Sequence, residues 1–206
     1  MNSYNLEDKY TKDYYEDGIK KKLSGYEEFR WIPTRSYPEA VDIIERFDFN
    51  TVIDYGCAKG FLVHSLRQLG KEAYGEDISE YAINNSDERV SRFVSKPTEK
   101  KADLIICKDV MEHIEEDNVI EVFSFLKRKC KSKALFIIPL GDNDTFRIRE
   151  YEVDITHVTK KDEDWWIDKI NESGFSIESF AYSMGSIKEK WTKSYKYGNG
   201  FFTLKI

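Results

Sequence analysis

"TVIDYGCAKGFLVHSLRQLG", residues 51–70, is the stretch that decides the fold. An apolar run reaches an aspartate, a turn with two glycines follows, and apolar residues then recur at helical spacing. A glycine-rich turn that opens a helix receives an anionic group. A P-loop needs G-x-x-x-x-G-K-[ST], and this turn fails it: Phe61 and Leu62 follow Gly60, and the lysine precedes that glycine. The dinucleotide fingerprint G-x-G-x-x-G fails too, because Gly56 and Gly60 stand at G-x-x-x-G spacing with Asp54 in the strand end. What remains is D-x-G-C-x-x-G.

Working outward, "PEAVDIIERF" (38–47) reads as an amphipathic helix with Ala40, Ile43, Ile44 and Phe47 on one face, after Pro33 and Pro38 break the preceding pattern. After the opening strand and helix come "KEAYGED", a second strand, and "SEYAINN", a helix that Ser79 can cap. "SRFVS" is a weak third strand and "ADLIICKD" a buried fourth. "EEDNVIEVFSFLKRKC" has acid at its start and base at its end, as the helix dipole favours. "KALFIIPL" is strand five, 141–159 a long polar connection, and 160–175 a helix ended by Gly174. "SIESFAYS" and "FFTLKI" are the last strands. Alternating strands and helices predict an α/β, doubly wound parallel sheet. Its ligands sit beyond the carboxyl ends of the strands, at the switch point.

The 206 residues suit one domain, and 40% hydrophobic content fits a folded chain. The net charge of −6 argues against a general nucleic-acid binder. Three cysteines without a repeat spacing point to a reducing cytosol rather than a disulfide framework or zinc motif. The polar, acidic N-terminus is no signal peptide, and no apolar run approaches a membrane span.

D-x-G-C-x-x-G resembles the first motif of class I S-adenosylmethionine-dependent methyltransferases. "AYGEDIS" looks like that family's second strand with its ribose-binding acid, and "ADLIICKDVMEHI" like its fourth strand and following turn. "NESGF" with the two closing strands resembles its terminal hairpin. The resemblance covers residues 37–206 and leaves 1–36 as an N-terminal lid. It implies a Rossmann-like, mostly parallel seven-stranded sheet with a C-terminal antiparallel hairpin strand. It also implies S-adenosylmethionine as cofactor. Gly56 and Gly60 would let backbone approach the ligand, and N–H groups at the helix start would take its carboxylate. Asp54 would accept from ordered water or from the ammonium end, and Asp77 would take both ribose hydroxyls. Cys57, Ala58, Ile78 and Lys108 complete the expected cofactor set. Ser95 and Lys96 stand where the family often has an acid for the adenine amino group, so Ser95 or backbone groups would hold adenine.

The turn after strand four lacks both the [DN]-P-P-[YFW] of nucleic-acid N-methyltransferases and the Pro-Cys of cytosine-C5 enzymes. His64 lies within the first helix and reads as packed or solvated rather than functional. His113 and His157 fall on the catalytic edge, where a histidine suits a hydroxyl's general base. Asp154, three residues before His157, is placed to orient it, and Asp109 is the alternative base. "DITHVTKKDEDWWIDKINESGF" resembles methyltransferases of bacterial and viral glycan assembly, some fused to glycosyltransferases. That implies a sugar or glycan hydroxyl as acceptor and glycosyltransferases as pathway partners. Tyr14, Tyr15, Tyr26, Phe29 and Trp31, with Trp165 and Trp166, are candidate sugar-stacking rings. A small-molecule or lipid N/O-methyltransferase and a non-catalytic cofactor-binding module stay open. So does a Mg²⁺ site at Asp109, Asp142, Asn143 and Asp144. No metal is the favoured reading, because "DVMEHI" resembles the metal-independent branch.

Overall fold

The structure is a computed structural model that describes residues 6–206; residues 1–5 of the expected lid lie outside the described residues. Short helices α1 (Lys12–Glu16) and α2 (Gly18–Lys21) precede α3 (Pro33–Arg46). Then follow β1 (Thr51–Tyr55), α4 (Phe61–Gln68), β2 (Glu72–Glu76), α5 (Glu80–Asn84), β3 (Val94–Ser95), β4 (Ala102–Lys108), α6 (Val119–Lys129) and β5 (Cys130–Pro139). The chain continues through β6 (Gly141–Asp142), β7 (Thr145–Phe146), α7 (Glu163–Glu172), β8 (Ser176–Ala181), α8 (Glu189–Ser194) and β9 (Asn199–Lys205).

The main sheet has seven strands in the order β3-β2-β1-β4-β5-β9-β8, and β9 runs antiparallel between β5 and β8. This is the expected α/β, doubly wound sheet with its antiparallel closing strand. Successive residues of the central strands serve opposite faces. Val52, Leu104, Ile106, Leu135 and Ile137 pack with Ala40 and Ile43 of α3 and Leu62, Val63 and Leu66 of α4. Ile53, Ile105, Cys107, Phe136 and Ile138 pack with Phe123 of α6 and Trp166 of α7. Burying each large side chain contributes about 1.5–3 kcal/mol. Both faces are covered, so the strands read as continuous apolar runs. No helix among the described residues is long and apolar enough to cross a membrane.

Local differences from the sequence reading have physical causes. Helix α3 begins at Pro33, whose missing N–H belongs to a first turn that lacks partners anyway. It also accommodates Pro38. Strand β3 has only two residues, because Ser91–Phe93 form a 3-10 turn. The polar connection after β5 contains a hairpin, β6–β7, whose two loop residues Asn143 and Asp144 have φ of 50° and 58°. Asn and Asp tolerate that left-handed region. The N-cap at Ser79 is present, its hydroxyl accepting from the Ala82 amide at 3.0 Å.

Two packing features stabilise the ligand edge. The Cys57 sulfur fills the space beside Gly75, where a Cβ would lie 2.6 Å from Sγ. Below the ligand loops, Lys129 Nζ lies 2.9 Å from Oε1 and 2.8 Å from Oε2 of Glu76, with both side chains buried. Thr98 donates to the same carboxylate at 2.7 Å.

Candidate functional site

The loop after β1 turns through three left-handed residues, Gly56 (φ 77°), Ala58 (φ 50°) and Gly60 (φ 77°). A Cβ on Gly56 would lie 2.2 Å from Val110 Cγ2, so both space and conformation require glycine there. The amides of Gly56 and Cys57 donate to the Glu76 carbonyl at 2.7 and 3.2 Å, and Gly60 N donates to Cys57 O at 2.9 Å. Ala58 N donates to Asp77 Oδ2 at 2.7 Å. These loop amides are engaged within the protein. The helix start expected to take an anion is the first turn of α4, and its Phe61 and Leu62 line the same cavity as Asp54. Arg30, Arg35 and Lys108 bring positive charge to that cavity.

Asp54 is buried at the end of β1 and accepts no hydrogen bond from the described residues. Burial pushes its carboxyl up to about 7, with Lys108 pulling the other way. Such a carboxylate lacks the partner that buried charge demands. Asp77 accepts from Ala58 N on one oxygen and from Ser79 N, at 2.8 Å, on the other. Each carboxylate oxygen therefore keeps a lone pair for a hydroxyl. Burial raises the Asp77 pKa, against the hydrogen bonds from Ser79 and Ala58. Ile78, Val110 and Ile114 line the apolar part of the adjoining cavity.

Ser95 ends strand β3. Its exposed hydroxyl donates to the Lys96 carbonyl at 2.9 Å, and only its backbone carbonyl serves the site, accepting from Asp77 N at 3.0 Å. Successive strand residues point to opposite faces, and in β3 Val94 is the buried one.

The N-terminal segment lies over these cavities. Tyr10, Tyr14 and Tyr15 are buried against Tyr26, Phe29, Ile78 and Tyr81. Ser79 Oγ donates to Tyr10 O at 2.6 Å, and Lys59 bonds to Glu16 and to Phe29 O. Tyr14 OH donates to Asp154 Oδ2 at 2.6 Å, which joins this segment to the connection after β7.

Beyond β4 a third chamber of about 480 Å³ opens, lined by Tyr14, Tyr26, Arg35, Asp109, Glu112, His113, Tyr151, His157, Lys188 and Trp191 among others. Tyr14, Tyr26, Asp109 and His113 also line the Asp77 cavity, so the spaces adjoin. Asp109 is left-handed (φ 57°). It pairs with Lys188 and lies 3.4 Å from Lys108 Nζ. Burial pushes its carboxyl up, but the two lysines outweigh that and hold it low.

Val158 N and Thr159 N both donate to Glu112 O, at 2.9 and 3.0 Å, which fixes His157 beside the turn after β4. The His113 and His157 rings stand 4.6 Å apart. His157 Nδ1 lies 2.7 Å from the Tyr151 carbonyl, which can only accept, so the proton is on Nδ1 and Nε2 carries a lone pair. Asp154 does not orient His157 through a hydrogen bond: its Oδ2 is 3.9 Å from Nε2. Asp154 Oδ1 instead accepts from Thr156 Oγ1 at 2.5 Å, and Thr156 Oγ1 lies 2.8 Å from His113 Nδ1. Thr156's one proton goes to Asp154, so His113 donates from Nδ1 and also keeps a lone pair on Nε2. Burial and then the neighbouring His157 push His113 down to about 4, and burial lowers His157 too. Glu112 is fully buried, and neither carboxylate oxygen has a hydrogen-bond partner among the described residues. Burial and then Asp109 raise its pKa.

Other candidates lie apart. Trp166 is buried against Phe123 and Trp165 packs beside it, so neither reaches the chamber. Trp31 meets His64 edge to face, and His64 is buried. Asp142 pairs with Arg147 at 2.8 Å in a different surface pocket, away from Asp109. Tyr151, Lys188 and Trp191 escaped the sequence reading. Trp191 sits on α8, a six-residue helix too short to show periodicity.

Comparison with known proteins followed this geometry. The family model described as "Methyltransferase domain" matches residues 30–182. Among solved structures, magnesium protoporphyrin IX methyltransferase from Synechocystis, with bound SAH, is 16% identical, with a TM-score of 0.64 over 99% of each chain. A SAM-dependent methyltransferase from Archaeoglobus fulgidus is 17% identical, with a TM-score of 0.59 over 82% of this chain and 94% of its own. An S-adenosylmethionine-dependent methyltransferase from Clostridium acetobutylicum is 15% identical, with a TM-score of 0.61 over 85% of this chain and 92% of its own. A search of the curated proteins finds no match. The structural likenesses establish a shared fold, and the family model matches about three-quarters of the length: the chain belongs to the methyltransferase domain family.

Proposed function

We propose that the chain is an S-adenosylmethionine-dependent O-methyltransferase acting on a hydroxyl of a sugar or glycan. The observation that carries this reading is the adjoining pair of spaces, one bearing Asp54 and Asp77, the other bearing histidines among aromatic and charged walls. The donor set fits the cofactor. Asp54, a buried carboxylate without a partner, pairs with the ammonium. Arg35 and Lys108 face the carboxylate, and the free lone pairs of Asp77 take the ribose hydroxyls. Gly56, Cys57, Ala58 and Gly60 shape the loop beside them, and Ile78 packs on the base. When bound, the cofactor supplies a methyl group on a positively charged sulfur.

The segment carrying Tyr14 and Tyr26 acts as the lid and excludes water from both spaces. In the larger chamber Tyr26, Tyr151 and Trp191 offer faces for a sugar ring, while Arg35, Glu150 and Lys188 offer hydrogen-bonding groups. The acceptor hydroxyl is activated where Glu112, His113 and His157 converge, and His157 Nε2 brings the lone pair that a general base requires. Asp154 acts on His113 through Thr156. The buried, unpaired Cys57, Cys107 and Cys130 accord with a cytosolic enzyme serving glycosyltransferases of the same pathway. The test is transfer of labelled methyl to a panel of oligosaccharides, free sugars and small alcohols. Labelling of the alcohols alone would replace the sugar by a smaller acceptor, and labelling of none would overturn the reading.

A further inference from the structure

A lone pair suited to a proton is equally suited to a metal. We propose that Glu112, His113 and His157 form a binding site for a divalent first-row transition cation, in the range from Mn²⁺ to Zn²⁺. One donor atom from each of the three lies within 4.8 Å of the others. His157 Nε2 stands 3.9 Å from Glu112 Oε1. Ligands at about 2.0–2.1 Å from a tetrahedral ion sit about 3.4 Å apart, so small side-chain rotations close the site.

Two independent features indicate a missing ligand rather than chance proximity. Glu112 is fully buried with both oxygens unpartnered, an arrangement that buried carboxylates avoid. Both imidazoles are also fixed through Nδ1, His157 on the Tyr151 carbonyl and His113 on Thr156 backed by Asp154. Metal-binding histidines are held in this way, with the second nitrogen anchored so that the first keeps its lone pair for the ion. Asp109 is taken by Lys188 and Asp142 by Arg147, so neither joins the set. Two imidazoles with one carboxylate favour a transition ion over Mg²⁺, which prefers oxygen alone. Three protein ligands leave an open position toward the chamber. There a hydroxyl oxygen of the acceptor would be the next ligand, its proton made easier to lose to solvent, and with the ion bound His157 Nε2 would serve as a ligand and not as the base. That last role rests on the hydroxyl-acceptor reading; the binding of the ion does not.

The test is a Co²⁺ titration of chelator-stripped protein, followed by visible absorption, with neither methyl donor nor acceptor present. The expected result is saturation at one Co²⁺ per chain with ligand-field bands, displacement by Zn²⁺, and no displacement by excess Mg²⁺. His113→Ala and His157→Ala should each weaken binding by about 100-fold or more, and Glu112→Gln, which keeps the shape, by about tenfold or more. Asp142→Ala should leave it unchanged. Absence of a saturable band in the folded wild-type protein overturns the proposal, as does binding indifferent to both histidine changes. Co²⁺ binding without any sugar methylation would overturn the acceptor reading and leave the cation site standing. Sugar methylation by metal-free protein that shows no Co²⁺ bands would do the reverse.

Discussion

Replacing Asp54 by asparagine separates two effects of one buried carboxyl. In the free protein its pKa is pushed up to about 7, against 3.8 for an ordinary aspartate. At pH 6 about nine in ten molecules therefore carry the proton. An ammonium placed against the carboxylate lowers such a pKa by about 1–3 units. Binding of S-adenosylhomocysteine at pH 6 should then release about 0.8 proton, and affinity should rise about tenfold between pH 6 and 8. Calorimetry in buffers of different ionisation enthalpy measures that release directly, and Asp54→Asn should remove it. The sign for stability is opposite. A carboxyl with a raised folded pKa favours folding most below pH 4 and loses that contribution as pH climbs to 7. The loss is about 4 kcal/mol if the whole shift is expressed. Asp54→Asn should thus stabilise the ligand-free protein at pH 8 and not at pH 4. Equal proton release by wild type and variant would refute the assignment of Asp54 to the ammonium end.

Asp77→Ala should weaken cofactor binding by about 1–3 kcal/mol in the same calorimeter. It should also lower thermal stability, because Ala58 N and Ser79 N lose their acceptor. Lys129→Met should destabilise the fold by about 3–5 kcal/mol in urea denaturation, since it strands a buried Glu76. Adding Glu76→Gln should recover part of that loss, and a single variant as stable as wild type would show that the pair contributes nothing.

The parts of the fold legible in the sequence were those where one local requirement dominates. Gly56 and Gly60 marked the turn because their backbone angles exclude other residues, and the central strands showed as apolar runs because helices cover both faces. Ala58 and Asp109 adopt the same left-handed region without glycine, so nothing in their identity announced it. The part Ser95 plays was not legible, because a residue's identity does not tell that its backbone carbonyl meets Asp77 N while its hydroxyl bonds to Lys96 O. The chamber beyond β4 was half visible. His113 and His157 stood out as residue types, but their Nδ1 partners, Tyr151 and Thr156, became meaningful only once the segment was bonded to Glu112 O. Asp154 lay close in sequence to His157 and yet serves His113, because hydrogen bonds follow the turn of the backbone and not the count along it.

The contact between Cys57 and Gly75 has an evolutionary consequence. One volume is shared by two positions eighteen residues apart, and the sulfur already occupies it. A side chain at 75 therefore demands a smaller residue at 57 while β1 and β2 keep their pairing. Among descendants of this sequence a side chain at 75 should spread only after position 57 has shrunk, so packing sets the order of the two changes.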